Sequence, residues 1–401
     1  MRENIVITGM GAVTPIGIGV ETYWNNLTAG ACGIGEISRF DATALPVQRA
    51  GEIRDFQPRD FLPTRLVQDL DRFMLFAYIA AEEAVRQSGL DTHSARVGVV
   101  MGTALSGMDY IGETHTQGAS GGCGVGPKFL LRAMGNMAAA QFAIQHGIQG
   151  PSMTVQTACS SGGDAITLAA MLLRAGAADA MLVMAGEAGI CPMLIQSLVR
   201  AGALSKAGES LPFDVRRSGF VIGEGGGALV LERAETAAAR GAAPLAALLG
   251  CANNTDAYNP VSPHPEGLGV AECICLALAD AQVAPEQVGY VNAHGTATPL
   301  GDIAETAALH RVFGADTRVA VSSTKGATGH MMGAGGVTEV IACVQALRTG
   351  QLPPNTGLTE QDARCALNLV TPETTRARVD IAISDAMGFG GQNSCIVVGK
   401  I

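Results

Sequence analysis

The sequence predicts an α/β fold of packed layers, built twice. Short, continuously apolar runs alternate with longer helix-forming stretches along the whole chain, as expected for strands buried between helical layers. The order of these runs also repeats, with Val97-Gly98-Val99-Val100 echoed by Val288-Gly289-Tyr290-Val291. Composition agrees: aromatics are only 4% while Gly numbers 52 among 401 residues, so layers should approach closely. At 48% hydrophobic, the chain can bury a large core.

In chain order, residues 4–11 read as a buried strand ending at Gly9-Met10-Gly11, and residues 20–29 as the first helix. Residues 33–62, punctuated by Pro46 and Pro58, read as irregular. Residues 69–88 form a long helix closed by Gly89, and 97–101 a second strand. The Gly-rich stretch 117–126 reads as a mobile loop without the spacing of a phosphate loop. Residues 129–146 are helical, 153–155 a short strand and 165–173 a helix. Strands at 180–185 and 228–232 close the first half.

The second half runs through a strand at 244–250, a helix at 271–281 and a strand at 288–291. A helix at 301–313, a strand at 319–322 and a helix at 336–347 follow. Strands at 381–384 and 395–398 end it. The expected division is 1–243 and 244–401, an internal duplication with little sequence identity between halves. The stretches 33–62 and 351–378 read as polar surface excursions.

A net charge of −10 argues against nucleic acid as a general partner. It leaves room for a local basic patch facing an acidic one. The ten cysteines are irregularly spaced. Their one close pair, Cys273-x-Cys275, has no matching second pair, so reduced thiols and no structural metal are expected. The chain runs directly into a strand with no signal peptide. Its apolar runs are broken by Gly, Arg or Glu short of a bilayer span. A soluble cytoplasmic protein, away from membranes, is the expectation.

The chemistry centres on Gln156-Thr157-Ala158-Cys159-Ser160-Ser161-Gly162-Gly163-Asp164. Cys159 stands where the strand at 153–155 turns into a helix. Small neighbours let the backbone turn sharply and a substrate approach, and the helix N-terminus favours thiolate. That describes an activated nucleophile. A free cysteine is by tendency a buried apolar group; the Gly-Gly pair and the polar residues downstream reverse that reading here.

Those downstream residues sit at three strand ends. They are Asn292-Ala293-His294-Gly295-Thr296-Ala297-Thr298, Thr324-Lys325-Gly326-Ala327-Thr328-Gly329-His330 and Met387-Gly388-Phe389-Gly390-Gly391. Ligands gather at the carboxyl ends of strands in parallel α/β sheets. A Cys-His-His set would also suit zinc, but no carboxylate lies beside either His in sequence. A papain-like site would need Cys, His and Asn in a different context. His115, His146, His264 and His310 lack such a setting and read as structural or exposed.

These motifs, in this order, resemble the β-ketoacyl-acyl carrier protein synthases, the elongating (type I/II) condensing enzymes of the thiolase-like superfamily. The resemblance runs essentially end to end. It also takes in Val6-Ile7-Thr8-Gly9-Met10-Gly11, Pro212-Phe213-Asp214 and Gly219-Phe220-Val221-Ile222-Gly223-Glu224-Gly225. It implies a thiolase-like duplicated five-layer αβαβα fold. It implies decarboxylative Claisen condensation of an acyl-Cys159 thioester with malonyl-carrier, in fatty acid or polyketide and polyene elongation.

On this resemblance His294 and His330 would stabilise the enolate. The N–H groups of Cys159 and Phe389 would form an oxyanion hole, and Phe389 would gate the pocket. Lys325 would balance charge and position His330, with Glu339 as its anchor. Thr296 and Thr298 would bind the phosphopantetheine arm, which the acyl carrier protein supplies, so no other cofactor is required. Leu194 and Leu198, with Leu105 or Met108 opposite, would line the acyl channel. A homodimer or a ketosynthase heterodimer is implied.

The sequence departs from the family in places. The usual Asn-Ser-Phe-Gly-Phe-Gly-Gly-Thr-Asn becomes Asp385-Ala386-Met387-Gly388-Phe389-Gly390-Gly391-Gln392-Asn393, so Asp385 and Gln392 alter hydrogen bonding around the gate. Arg-Asp-Gly-Phe becomes Arg217-Ser218-Gly219-Phe220. The stretch 191–198 is bulkier than the common Gly-rich version. These changes bear on substrate rather than reaction. The competing reading is a non-catalytic, chain-length-factor-like partner of a heterodimeric ketosynthase.

Overall fold

The computed structural model describes residues 4–119 and 125–401. Ten strands form the continuous path of the large sheet, with a two-residue strand, Gly17–Ile18, paired beside the first: β1 (Ile5–Thr14), β2 (Val97–Gly102), β3 (Ser152–Val155), β4 (Ala180–Glu187), β5 (Gly225–Arg233), β6 (Ala246–Thr255), β7 (Tyr290–Asn292), β8 (Ala320–Ser322), β9 (Ile381–Gly388) and β10 (Gln392–Gly399). Their order is β8-β7-β9-β10-β6-β1-β5-β4-β2-β3. Each set of five follows the same path from its inner strand to its edge. In each, the strand next to the edge, β2 or β7, pairs in parallel with both neighbours and the other pairings are antiparallel. The duplication read from the order of elements is therefore present in topology and strand direction. Each half-sheet is mixed, not all-parallel. The halves join where Ile5, Val6 and Ile7 of β1 pair with Leu248, Ala247 and Ala246 of β6.

Five helices complete the layers: α1 (Arg72–Ser88), α2 (Ser161–Arg174), α3 (Leu268–Ala281), α4 (Gly301–Phe313) and α5 (Met332–Thr349). α5 is buried on every side from Met332 to Leu347, as a helix apolar all round must be. It and α2 lie between the two half-sheets. Strand alternation assigns the faces. Val100, Leu229, Leu231, Ile396 and Val398 point into this middle core. Val99, Met101 and Val230 point outward onto Phe73 and Phe76 of α1, and Ile383 and Val397 onto Ile274 of α3 and Leu309 of α4. The result is the expected αβαβα stack.

Glycine sets the closeness of the middle layer. A Cβ on Gly162 would lie 2.6 Å from the Gly333 carbonyl oxygen, and one on Gly336 would lie 2.7 Å from the Gly163 nitrogen. Here α2 and α5 touch backbone to backbone.

Several expectations are corrected. The helix expected over 69–88 breaks at extended Leu70 and Asp71. The one expected over 129–146 breaks at extended Met134, where Gly135 sits tight beneath Ser106. The stretch 33–62 is not a surface excursion: Ile37, Leu45, Val47 and Ala50 pack into the cluster that holds Cys159. In 351–378, Leu352, Cys365 and Val370 are likewise core. Of the Gly-rich stretch, residues 117–119 end a helix, Met108–Ala119, and the expected loop at 120–124 lies outside the described residues. Among the described residues, no helix is long and apolar enough to cross a membrane.

Candidate active site

Cys159 sits in a short 3-10 turn, Ala158–Ser160, between β3 and α2. The sharp bend is taken by Ala158, whose φ is +51°, a region costly for a residue with a Cβ. Side chains fix it. The Thr157 N–H donates to Ser161 Oγ at 2.9 Å, and Thr157 and Ser160 hydroxyls donate to Asp164 Oδ2 at 2.5 and 2.8 Å. The glycines after Cys159 thus serve the α2–α5 contact, not the turn itself.

Three loops converge on the thiol. His330 Nε2 is 3.1 Å from Cys159 Sγ. The Phe389 N–H also points at the thiol, presented by a turn in which Gly390 and Gly391 adopt φ of +86° and +74°. The His294 ring meets that of His330 edge to face, centroids 5.3 Å apart. Behind them Lys325 Nζ donates to Glu339 Oε1 at 2.5 Å, both groups buried.

His330 is held by the Gly219–Gly225 motif. Its N–H donates to the Val221 carbonyl at 2.7 Å, its carbonyl accepts from Gly223 at 2.9 Å, and the Phe220 ring stands edge-on to it at 5.2 Å. His294 is held by Glu305, whose two oxygens accept the N–H groups of His294 at 2.6 Å and Gly295 at 2.8 Å. The Gly219–Gly225 motif was singled out from the sequence without this role, and Glu305 was not singled out at all. Glu305 was legible in principle, as a carboxylate between Ala304 and Ala308 on a helix buried along that side.

Burial dominates the electrostatics. It pushes the Cys159 thiol up to about 12, against the pull of the Lys325 charge and the Phe389 N–H. Burial thus works against the thiolate expected at the helix terminus. Burial, then the Lys325 charge, holds both His294 and His330 well below the usual imidazole value. Burial thus favours the neutral form of the thiol and of both imidazoles alike.

A cavity of about 510 Å³ opens onto these groups. Leu105, Leu194, Leu198 and Phe220 form apolar wall, and Thr296, Thr298 and Phe389 also line it. Met108 does not line it: the turn at Ser106, φ +53°, carries Met108 past the wall onto the next helix. Thr296 and Thr298 hydroxyls are 3.2 Å apart. Phe389 is 37% exposed. Asp385, by contrast, is buried behind the site on β9 and does not reach the cavity surface. A larger hollow of about 980 Å³ lies between Arg39, Asp71, Asp109 and Arg132, away from all of these groups.

The family model described as Beta-ketoacyl synthase, N-terminal domain, matches residues 2–237, and its C-terminal domain counterpart matches residues 245–359. The chain belongs to the β-ketoacyl synthase family. A 3-oxoacyl-[acyl-carrier-protein] synthase 2 of Synechocystis sp. is 38% identical over 409 residues, covering 100% of this chain and 98% of the relative. One from Coxiella burnetii is 37% identical, covering 100% and 99%. Among solved structures, the ishigamide ketosynthase/chain length factor aligns at a TM-score of 0.93 and 32% identity, covering 100% of both chains. A type II polyketide synthase acyl-carrier protein in complex with its ketosynthase, bound to the hexaketide, aligns at 0.90 and 29%, again over 100% of both chains. This β-ketoacyl synthase thus shares its whole length with relatives that carry the condensing fold.

Proposed function

We propose that this chain is a 3-oxoacyl-[acyl-carrier-protein] synthase, an acyltransferase that condenses an acyl-cysteine with malonyl-carrier. The observation that carries the reading is His330 Nε2 3.1 Å from Cys159 Sγ at the wall of an apolar cavity. In the first step the Cys159 thiol attacks the acyl-carrier thioester as His330 Nε2 accepts its proton. The Cys159 and Phe389 N–H groups hold the oxyanion. The proton then leaves on the pantetheine thiol, and Cys159 is acylated.

In the second step malonyl-carrier loses CO₂. His294 and His330 are neutral, and in the tautomer with Nε2–H each can donate to the enolate oxygen without a charge to neutralise. The carbanion attacks the acyl carbonyl, a carbon–carbon bond forms, and Cys159 leaves as a thiolate that takes up one proton from solvent. Lys325 with Glu339 supports the charge balance beside His330. Thr296 and Thr298 flank the path of the phosphopantetheine arm. Leu105, Leu194 and Leu198 shape the acyl end. These steps use the arm brought by the acyl carrier protein and call for no cofactor of the enzyme's own. A chain-length-factor-like role has no observation in its favour, since nucleophile and both imidazoles converge.

The halves 1–243 and 244–401 are read as the two thiolase-like units, one bearing Cys159 and the other both His and Lys325. A reducing, cytoplasmic setting suits the free cysteines, most of them buried. The partner surface is assigned to the free edge of β3. Met153 is 44% exposed there, Ile144 at 81% stands on the Met137–His146 helix packed against that strand, and Leu130 at 63% on the short helix before it. Exposed apolar side chains beside a free sheet edge support an interface here, to a second copy or a homologous ketosynthase chain.

Radiolabelled malonyl-carrier tests the reaction. Release of labelled CO₂ with a β-ketoacyl-carrier product is expected, and the product should be lost in Cys159→Ala; product formation without Cys159 would refute the reading.

A further inference from the structure

Asp164, a buried carboxyl beside the nucleophile, takes no part in the steps above. It is 5% exposed and sits early in α2. We propose that Asp164 is a positioning residue for acyl transfer, clamping the residues on both sides of Cys159 so that the Cys159 thiol and N–H meet the incoming carbonyl together. The proposal rests on the acylation step given above.

The clamp is visible in the side-chain contacts. Asp164 follows Ser160 by four residues, about one helical turn, which puts the two side chains on one face. Thr157 is brought to the same carboxyl by the bend at Ala158. One oxygen takes both neighbours: Thr157 Oγ1 is 2.5 Å and Ser160 Oγ 2.8 Å from Asp164 Oδ2. Ser160 Oγ is also 2.8 Å from the Thr157 carbonyl oxygen, so its one proton is shared between two acceptors. Cys159 lies between these two residues and lines the cavity.

The segment needs such a hold. Ala158 keeps φ at +51°, which a residue with a Cβ does only when its surroundings fix it. Ser161 supplies part of that, accepting the Thr157 N–H at 2.9 Å and donating to the Ala158 carbonyl at 2.6 Å. Asp164 holds the two side chains that Ser161 leaves free. Across the gap, the Cys159 nitrogen faces the turn that presents the Phe389 N–H: a Cβ on Gly388 would lie 3.3 Å from it. Any rotation of residues 157–160 therefore moves one half of the oxyanion hole against the other.

An acid early in a helix ordinarily serves the dipole or caps the free N–H groups. Asp164 is placed differently. Its partners are the two hydroxyls, with the Asn253 side chain facing it from β6. Its other oxygen, Oδ1, is buried with no hydrogen-bond partner among the described residues. Burial raises the carboxyl, and the Thr157, Ser160 and Asn253 side chains pull it back. Oδ2 accepts in either protonation state, so the clamp needs an acceptor and not a charge.

The test separates the two half-reactions in the full-length enzyme. Acylation of Cys159 by acyl-carrier is read by intact mass, and malonyl decarboxylation by CO₂ release. A misplacement near 1 Å costs on the order of 10²-fold in rate. Asp164→Ala should slow acylation by about that factor, while CO₂ release, which rests on His294 and His330, stays near the wild-type rate. Alkylation of Cys159 by iodoacetamide uses no oxyanion hole and should also stay near wild type. Asp164→Asn keeps a carbonyl oxygen for both hydroxyls and should recover most of the acylation rate. Parallel loss of acylation, CO₂ release and alkylation in Asp164→Ala would mark a general structural role and overturn the proposal. So would unchanged acylation, or an Asp164→Asn variant no faster than Asp164→Ala. Where Asp164→Ala does not fold, Thr157→Val decides. It keeps the side-chain shape, removes one clamped hydroxyl and should slow acylation but not CO₂ release; acylation at the wild-type rate overturns the proposal. If the enzyme reading itself were wrong, the wild type would show neither half-reaction.

Discussion

His330 and Cys159 form a buried, uncharged pair, Nε2 to Sγ 3.1 Å, in which burial keeps the proton on sulfur and off the imidazole. Nucleophilicity is therefore released by the approach of substrate and base, and is not stored as a thiolate.

Alkylation of Cys159 follows from that. Only the thiolate reacts, and the folded thiol titrates up to about 12. The rate constant with iodoacetamide should rise about tenfold per pH unit from neutral to alkaline pH. A plateau reached near neutrality would show a stable thiolate and contradict the pair as described.

The two histidines should separate. Both line the cavity, but His330 touches the thiol, whereas His294 meets the His330 ring edge to face. His294→Ala should reduce malonyl decarboxylation by roughly 10²–10³, the size of a lost oxyanion donor, and spare acylation. His330→Ala should slow both steps. Equal acylation rates in the two variants would remove His330 as the base.

Lys325 and Glu339 form an ion pair in the dry interior. Losing one partner strands a charge, so Lys325→Met should destabilise the fold by about 3–5 kcal/mol in urea. Lys325→Met combined with Glu339→Met should recover much of that. Equal loss in the single and double variants would show that packing, not charge, is at stake. Removing the ammonium should also raise the titration of both imidazoles, since its charge depresses them.

Leu194 lines the cavity, on the wall proposed above to receive the acyl chain. Overpacking there costs about 1–3 kcal/mol, or about one to two decades in rate. Leu194→Gly should extend the acyl chains accepted in a length series while leaving the shortest nearly unaffected. An unchanged length profile in a folded variant would return Leu194 to the core.

Much of this was legible in the sequence for a physical reason. Strand alternation, helix length and the repeated order of elements are local properties, and the duplicated layers followed from them. Cys159, His294 and His330 stood at element ends with small neighbours, where side chains meet a cavity. What stayed hidden was long-range. Nothing near His294 in sequence shows that Glu305 grips its backbone, or that residues 37–50 fold over Cys159. The thiolate expectation weighed the helix terminus alone, and the larger desolvation became visible only once the pocket's burial was known. Met108 was misplaced because a single positive φ at Ser106 redirects the chain.

Intact-protein mass spectrometry tests the central claim most directly. Incubation with acyl-carrier should add one acyl group, localised to Cys159 after proteolysis. Malonyl-carrier should then discharge it, with CO₂ released and a β-ketoacyl chain two carbons longer on the carrier. Acyl mass on another residue, or an acyl-Cys159 that malonyl-carrier leaves untouched, would contradict it.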